Sequence, residues 1–239
     1  MDARATAIER SVVHSTPEPP PSGHFESSQR LQLSEALWGI HWADFLPRQV
    51  TQDVTVVASS YDRALPFIEA NYATIFEEDG SNRFLHKQSN ELKARYYRTA
   101  GDFFEFKQGT RTVGLMIGTA VDWTTYYIRS AAALPEVQGK QVIQRFFAAM
   151  FMVLRAAGVE RVEAETSPSN LAVIQVLSRM RFNPSGTVLS DRWGALLKFT
   201  RFLDEEAERV FLDQFCSGVR YQVKHQPGSR RPGAKGEEP

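Results

Sequence analysis

Residues Ala131 to Gly186 read AAALPEVQGKQVIQRFFAAMFMVLRAAGVERVEAETSPSNLAVIQVLSRMRFNPSG, and the order of elements in this stretch decides the fold. An apolar run ends at Ala133 and is followed by Pro135 and the turn Gln138-Gly139-Lys140-Gln141-Val142-Ile143. A helix is predicted from about Lys140 to Ala157, because Ile143, Phe147, Met150 and Leu154 recur on one face and Phe146 and Val153 widen it. A strand over Arg161 to Thr166, a helix over Asn170 to Met180 and two strands near Thr187 to Arg192 and Ala195 to Phe202 complete an α/β sheet with helices on both faces. The turn itself has chemistry. Successive backbone N–H groups at a helix N-terminus point into one concavity where the helix dipole favours negative charge, so a pyrophosphate can sit there.

Upstream, Val54 to Ala58 reads as a strand, and Tyr61 to Phe76 as a helix with Leu65, Ile68, Tyr72 and Ile75 at helical spacing. Phe103 to Lys107, a Gly109-Thr110 turn, Arg111 to Val121 and Thr124 to Leu134 predict an antiparallel meander. The sheet is therefore expected to be mixed and mostly antiparallel. Leu203 to Phe215 reads as one more amphipathic helix with Val210, Phe211 and Phe215 inward. Residues 1–30, with the proline run from Pro17 to Pro21, are expected to form a disordered leader, and 225–239 a disordered tail. Between them stand an aromatic-rich segment over 31–52, a core domain over 53–203 and a helical extension over 204–224. Trp38, Trp42 and Phe45 fall at i, i+4 and i+7, one face of a helix that packs on the core or forms a flap over an acceptor groove.

With 239 residues, 42% of them hydrophobic, the chain suits one domain with appendages. Lysine and arginine number 28 against 28 aspartates and glutamates, so no overall charge draws it to nucleic acid or anionic lipid. Cys216 is the only cysteine, which rules out an internal disulfide and a cysteine zinc site, and the five histidines show no ligand spacing. No metal and no membrane span are expected, and a cytoplasmic location fits best.

The segment from Ala131 to Gly186 resembles the GNAT superfamily of N-acetyltransferases. Those domains end their fourth strand in a small or branched residue, then proline, then a turn of the form Q/R-x-x-G-x-G/A that opens a helix; Ala133, Pro135 and Gln138 to Ile143 occupy those places. Asn170, Val173, Ile174, Val176, Met180, Phe182 and Gly186 continue the register, and the resemblance covers roughly Asp53 to Leu203. It implies a GNAT-like α/β fold, with acetyl-CoA or another acyl-CoA as co-substrate. The pyrophosphate would be held by Gln138, Gly139, Lys140, Gln141, Val142 and Ile143, with Ala133 beside the pantetheine and Asn170 also on the cofactor side.

Three positions depart from the pattern. Gln141 stands where the family has the turn's glycine, Ile143 replaces its final Gly or Ala, and Leu177 stands where many members place a tyrosine that protonates the departing thiolate. Transfer chiefly needs an acyl thioester beside a deprotonated amine, with backbone donors polarising the carbonyl. Glu163 and Glu165 alternate with Val162, Ala164 and Thr166 on a strand expected to be covered on both faces, so each carboxylate faces the cleft or has a partner. Glu165 is the candidate base, and Tyr127 and Ser130, with Tyr126 and Arg129, are candidates for the acceptor side; each is equally readable as a packed or edge residue. Asp122-Trp123 reads as a plain hairpin turn, and Arg181, where glycine is common, as a solvated helix end.

The function expected is transfer of an acyl group from acyl-CoA to a primary amine of a small molecule or peptide. Two alternatives stand beside it: a carrier-protein or aminoacyl-tRNA donor, the latter being the one role left for nucleic acid, and a non-catalytic GNAT-like binding module.

Overall fold

The computed structural model describes residues 32–76, 91–190 and 193–215. The leader, the tail and Cys216 lie outside the described residues, as do the inward positions expected of Tyr72, Ile75 and Phe215.

A short helix α1 (Leu33–Trp38) and a 3-10 turn (Trp42–Asp44) precede β1 (Arg48–Gln49), β2 (Thr55–Ser59), α2 (Tyr61–Phe76), α3 (Glu91–Ala100), β3 (Gly101–Gln108), β4 (Arg111–Ala120) and β5 (Thr125–Ala133). A second 3-10 turn (Pro135–Val137) leads to α4 (Val142–Ala156), β6 (Arg161–Thr166), α5 (Leu171–Arg179), β7 (Asn183–Ser190), β8 (Gly194–Phe202) and α6 (Glu205–Phe215). The strands make one eight-stranded sheet in the order β1-β2-β3-β4-β5-β6-β8-β7. Only β5 and β6 run parallel; the other neighbours are antiparallel. The meander and the mixed, mostly antiparallel sheet follow the sequence reading. A parallel neighbour needs a crossover, and α4 supplies it.

Each face of the sheet has its own core. On one, α4 buries Phe146, Phe147, Met150 and Leu154 against Phe104, Phe106, Tyr126, Val162 and Ala164, joined by Leu177 and Phe182 at the α5 end. The Phe146 ring meets Phe104 at 5.1 Å and Phe106 at 5.6 Å between centroids. Truncating a phenylalanine buried in such a layer costs about 3–5 kcal/mol. On the other face, Tyr61, Ala64 and Ile68 of α2 and Ala94 and Tyr97 of α3 pack on Phe103, Leu115 and Ile117. No helix among the described residues is long and apolar enough to cross a membrane.

Two expectations are corrected. Trp38, Trp42 and Phe45 do not share one helix: α1 stops at Trp38 because Gly39 takes a left-handed φ of 65°, its N–H closing on the Glu35 carbonyl. Trp38 still leans on Tyr126 at 6.2 Å and Trp42 meets Phe104 edge-on at 4.9 Å, whereas Phe45 is exposed. Val210 is less buried than expected: it is 40% exposed and lines an open groove between α6 and the sheet, while the Phe211 ring lies 4.9 Å from Phe202.

Candidate active site

The site begins where two strands separate. β5 and β6 pair from Thr125–Arg161 to Ile128–Ala164 and no further, so the edge of β5 from Arg129 to Ala133 makes no ladder bonds to β6. At the same level Ile117 pairs with Ser130 but Gly118 with Ile128, which makes Arg129 an extra residue in β5. A bulge of this kind bends its strand. The result is a fork with its apex at Ile128 and Ala164.

Tyr127 lies one residue before that apex and Glu165 one residue after it. Tyr127 is in register with Glu163, so Tyr127, Glu163 and Glu165 occupy the same face, while Val162, Ala164 and Thr166 are buried on the other. Burial drives the Tyr127 phenol above its ordinary range, and the negative charge of Glu165 raises it further against the opposing pull of Arg129. Glu163 accepts from Lys198 Nζ at 2.8 Å and lies 3.7 Å from Arg161 Nε, so it is the salt-bridged carboxylate of the two. Ser130 is half-buried opposite Ile117. The Arg129 guanidinium lies 5.0 Å over the Tyr97 ring, tying the bulge to α3.

The turn after β5 keeps the backbone that its glycine pattern demands. Gly139 has φ 79° and Gln141, the N-cap of α4, φ 59°. Gln141 makes no side-chain cap bond, and the first amides of α4 have no intrahelical acceptor. Gln138, Gly139, Lys140 and Gln141 are exposed, and a Cβ on Gly139 would meet nothing within 4 Å, so the turn is open to solvent. Val142 is buried and Ile143 half-buried against the core, so both face away from that opening and contribute backbone only. Gln138 Nε2 donates to the Ala133 carbonyl at 2.9 Å, and Lys140 Nζ lies 3.0 Å from Asp53 Oδ2. Hydrogen bonds from Thr51 and then Lys140 hold the Asp53 carboxyl below its usual range.

Other candidates have structural duties. Asn170 caps α5, its Oδ1 accepting from Val173 N at 3.2 Å. Asp122 accepts from Thr124 N at 2.8 Å and from the Thr124 and Thr125 hydroxyls, the plain turn expected, with Trp123 exposed beside it. Leu177 is buried in the core, so an acid cannot act from there. Arg181 has φ 63°, and Phe182 N closes on Leu177 O at 3.0 Å, the bond of a Schellman end. The glycine usual at that place serves this left-handed backbone.

Sequence reasoning missed two features. The pairing of Lys198 with Glu163 depends on β8 lying beside β6, which local pattern does not specify. Asp102 is a buried carboxyl that accepts from Ser34 Oγ at 2.7 Å and Tyr126 Oη at 3.1 Å. Its signal was a lone carboxylate opening the apolar run Phe103-Phe104.

Residues 69–182 match the model of the Acetyltransferase (GNAT) family. No curated protein matches the sequence. Among solved structures, a variant of the spermidine N-acetyltransferase SpeG from Vibrio cholerae is similar at TM-score 0.50 and 13% identity, covering 67% of this chain and 99% of its own. A GNAT family acetyltransferase from Elizabethkingia anophelis with acetyl-CoA bound has TM-score 0.47 and 11% identity, covering 64% and 99%. The matched residues include the fork between β5 and β6 and the turn that opens α4, and they mark an Acetyltransferase (GNAT) family domain at residues 69–182.

Proposed function

We propose that the chain moves an acyl group from an acyl-CoA thioester to a primary amine of a small molecule or peptide. The observation that carries this reading is the fork: Tyr127 and Glu165 flank the point where β5 leaves β6, and the open turn at Gly139 lies between the end of β5 and α4. The thioester supplies an activated acyl carbonyl and a thiolate that leaves without help, which suits a site whose α5 position is Leu177.

The backbone of Gln138 to Ile143 holds the pyrophosphate through N–H groups and the helix dipole. Its conformation persists at Gln141, so the changed side chain alters the rim of the cradle and not its amides. The free edge of β5 up to Ala133 aligns the pantetheine arm, with Gln138 giving up its bond to the Ala133 carbonyl. Glu165 accepts the proton of the attacking amine, with Tyr127 on the same face of the sheet beside it. Ser130 lines the acceptor side. Asn170 fixes the α5 end of the site through its cap.

The test is calorimetric titration with acetyl-CoA and longer acyl-CoAs, with Gly139→Trp as the control. Micromolar binding that Gly139→Trp abolishes is expected, and an amine screen with Glu165→Gln beside wild type then follows. No binding to any acyl-CoA would sink this reading in favour of a carrier-protein or aminoacyl-tRNA donor, or of a non-catalytic binding module.

A further inference from the structure

Two cations stand at the opening of α4, Lys140 in the turn before it and Arg145 in its first turn, and one loop engages both. That loop connects β1 to β2. It closes on itself, with Val50 N and Thr51 N meeting Val54 O at 2.9 and 3.3 Å and Val54 N returning to Thr51 Oγ1 at 3.1 Å. Val50 O accepts from Arg145 Nη1 at 3.3 Å, and Asp53 Oδ2 accepts from Lys140 Nζ at 3.0 Å. Gln108 Nε2 donates to the same Asp53 oxygen at 2.8 Å and Thr51 Oγ1 to the other at 2.8 Å. The carboxylate is therefore fixed from β3 and from its own loop, independently of the lysine.

A carboxylate is a poor neighbour for a turn whose amides attract anions. Lys140 is the one charged residue from Gln138 to Ile143, and its pairing with Asp53 cancels the positive charge that the segment would otherwise offer. The pair is also easily exchanged. Its side chains are 44% and 40% exposed, and an ion pair so open to water and salt is weak. A diphosphate presents more negative charge than one carboxylate and accepts strongly from an ammonium. Asp53 lies upstream of the matched segment, residues 69–182, so it comes from a part of the chain outside the family match.

We infer that Asp53 sets the affinity of the donor site by competing with the donor's phosphates for Lys140. The inference rests on the transfer reading for the identity of the donor. In the free protein Asp53 holds Lys140. When the donor binds, Lys140 turns to the phosphates, and Asp53 stays where Gln108 and Thr51 fix it, an unpaired negative charge beside them. Acyl-CoA and spent CoA are weakened alike, which favours release of the product. Asp53 acts through Lys140 and is a positioning residue of the site.

The full chain is titrated by calorimetry with acetyl-CoA at low salt and again at about 1 M salt, where the screening length falls to about 3 Å. Asp53→Asn keeps an oxygen for Thr51 and removes the charge. It is expected to bind acetyl-CoA at least about threefold more tightly than wild type at low salt, with most of that gain gone at high salt. A change in the loop's shape alone would not depend on salt. Lys140→Gln is expected to bind more weakly than wild type, and in that background, with no lysine to release, the gain from Asp53→Asn is expected to fall below about twofold. Binding by Asp53→Asn that is equal to or weaker than wild type, a gain that persists at high salt, or the same gain in the Lys140→Gln background overturns the inference and leaves the transfer reading standing. Binding by Asp53→Asn where wild type is too weak to measure supports both. No binding of acetyl-CoA by wild type or by Asp53→Asn removes both.

Discussion

Gln141 and Arg181 each hold a left-handed backbone at a place where the family pattern has glycine. A residue with a Cβ costs roughly 1–2 kcal/mol in that conformation, partly offset because glycine loses more freedom on folding. Arg181→Gly is therefore expected to stabilise the protein by about 0.5–1 kcal/mol, or about 2 °C in Tm for a chain of this size. It also removes a positive charge whose field lowers the pKa of half-buried Arg201, an effect second to burial. A thermal melt unchanged or lowered in Arg181→Gly would contradict the Schellman argument. On the base role proposed for Glu165, whose loss is worth about 10²-fold or more in rate, Glu165→Gln is expected to lower kcat by that factor once an acceptor is in hand. The same substitution has a readout without turnover. Removing the carboxylate lets Tyr127 ionise at lower pH than in wild type, though still above free tyrosine because its burial remains. Absorbance at the tyrosinate band, taken as the difference from Tyr127→Phe, measures that shift.

The pairing of β4 with β5 depends on a missing side chain. Gly118 lies under Tyr126, and a Cβ there would come 2.2 Å from Tyr126 Oη, so Gly118→Ala must displace a ring that is fully buried. Overpacking of this kind costs about 1–3 kcal/mol, and urea unfolding of Gly118→Ala is expected to show a loss in that range. The elements whose information is local were legible in the sequence. The alternation of β6 separates buried Val162, Ala164 and Thr166 from Arg161, Glu163 and Glu165 on the other face, and α2 spans the residues its periodicity marks. Where the spacing misled, a short-range signal competed with it: Gly39 interrupts the run of Trp38, Trp42 and Phe45 with a left-handed turn. The resemblance implies a splayed strand edge beside Ala133, but the residues at which β5 and β6 part and the bulge at Arg129 were not legible, because both depend on where one strand stops matching a neighbour distant in sequence. Val210 was misassigned for a related reason. The width of the α6 stripe that meets the sheet is set by β6 and β8, and Phe211 is the residue whose ring packs on Phe202.

Across the whole molecule, Asp102 joins the N-terminal segment to the sheet, since it accepts from Ser34 in α1 and from Tyr126 in β5. Burial pushes its carboxyl up from 3.8 to about 6, against the opposing pull of those hydrogen bonds. The sign of the consequence follows from proton binding. Between about pH 4 and pH 6 the unfolded chain has lost this proton while the native state keeps it, so rising pH favours unfolding over that window and the penalty is complete above it. A shift of this size amounts to about 3 kcal/mol. Asp53, Glu105 and Asp122 act in the opposite sense, because their folded values are lowered and their stabilisation is lost as pH falls. The net curve of the wild type therefore mixes both signs, and Asp102→Asn separates them. That variant loses an acceptor for Tyr126, a cost that does not depend on pH, and it has no proton to lose. Its stability relative to wild type is expected to rise by up to about 3 kcal/mol between pH 4 and pH 7, measured by urea unfolding at each pH. A difference that stays constant across that range would mean that Asp102 is ionised at its ordinary value within the folded core. The Ser34 and Tyr126 hydroxyls would then offset its burial, and the contact between the N-terminal segment and the sheet would be indifferent to acid.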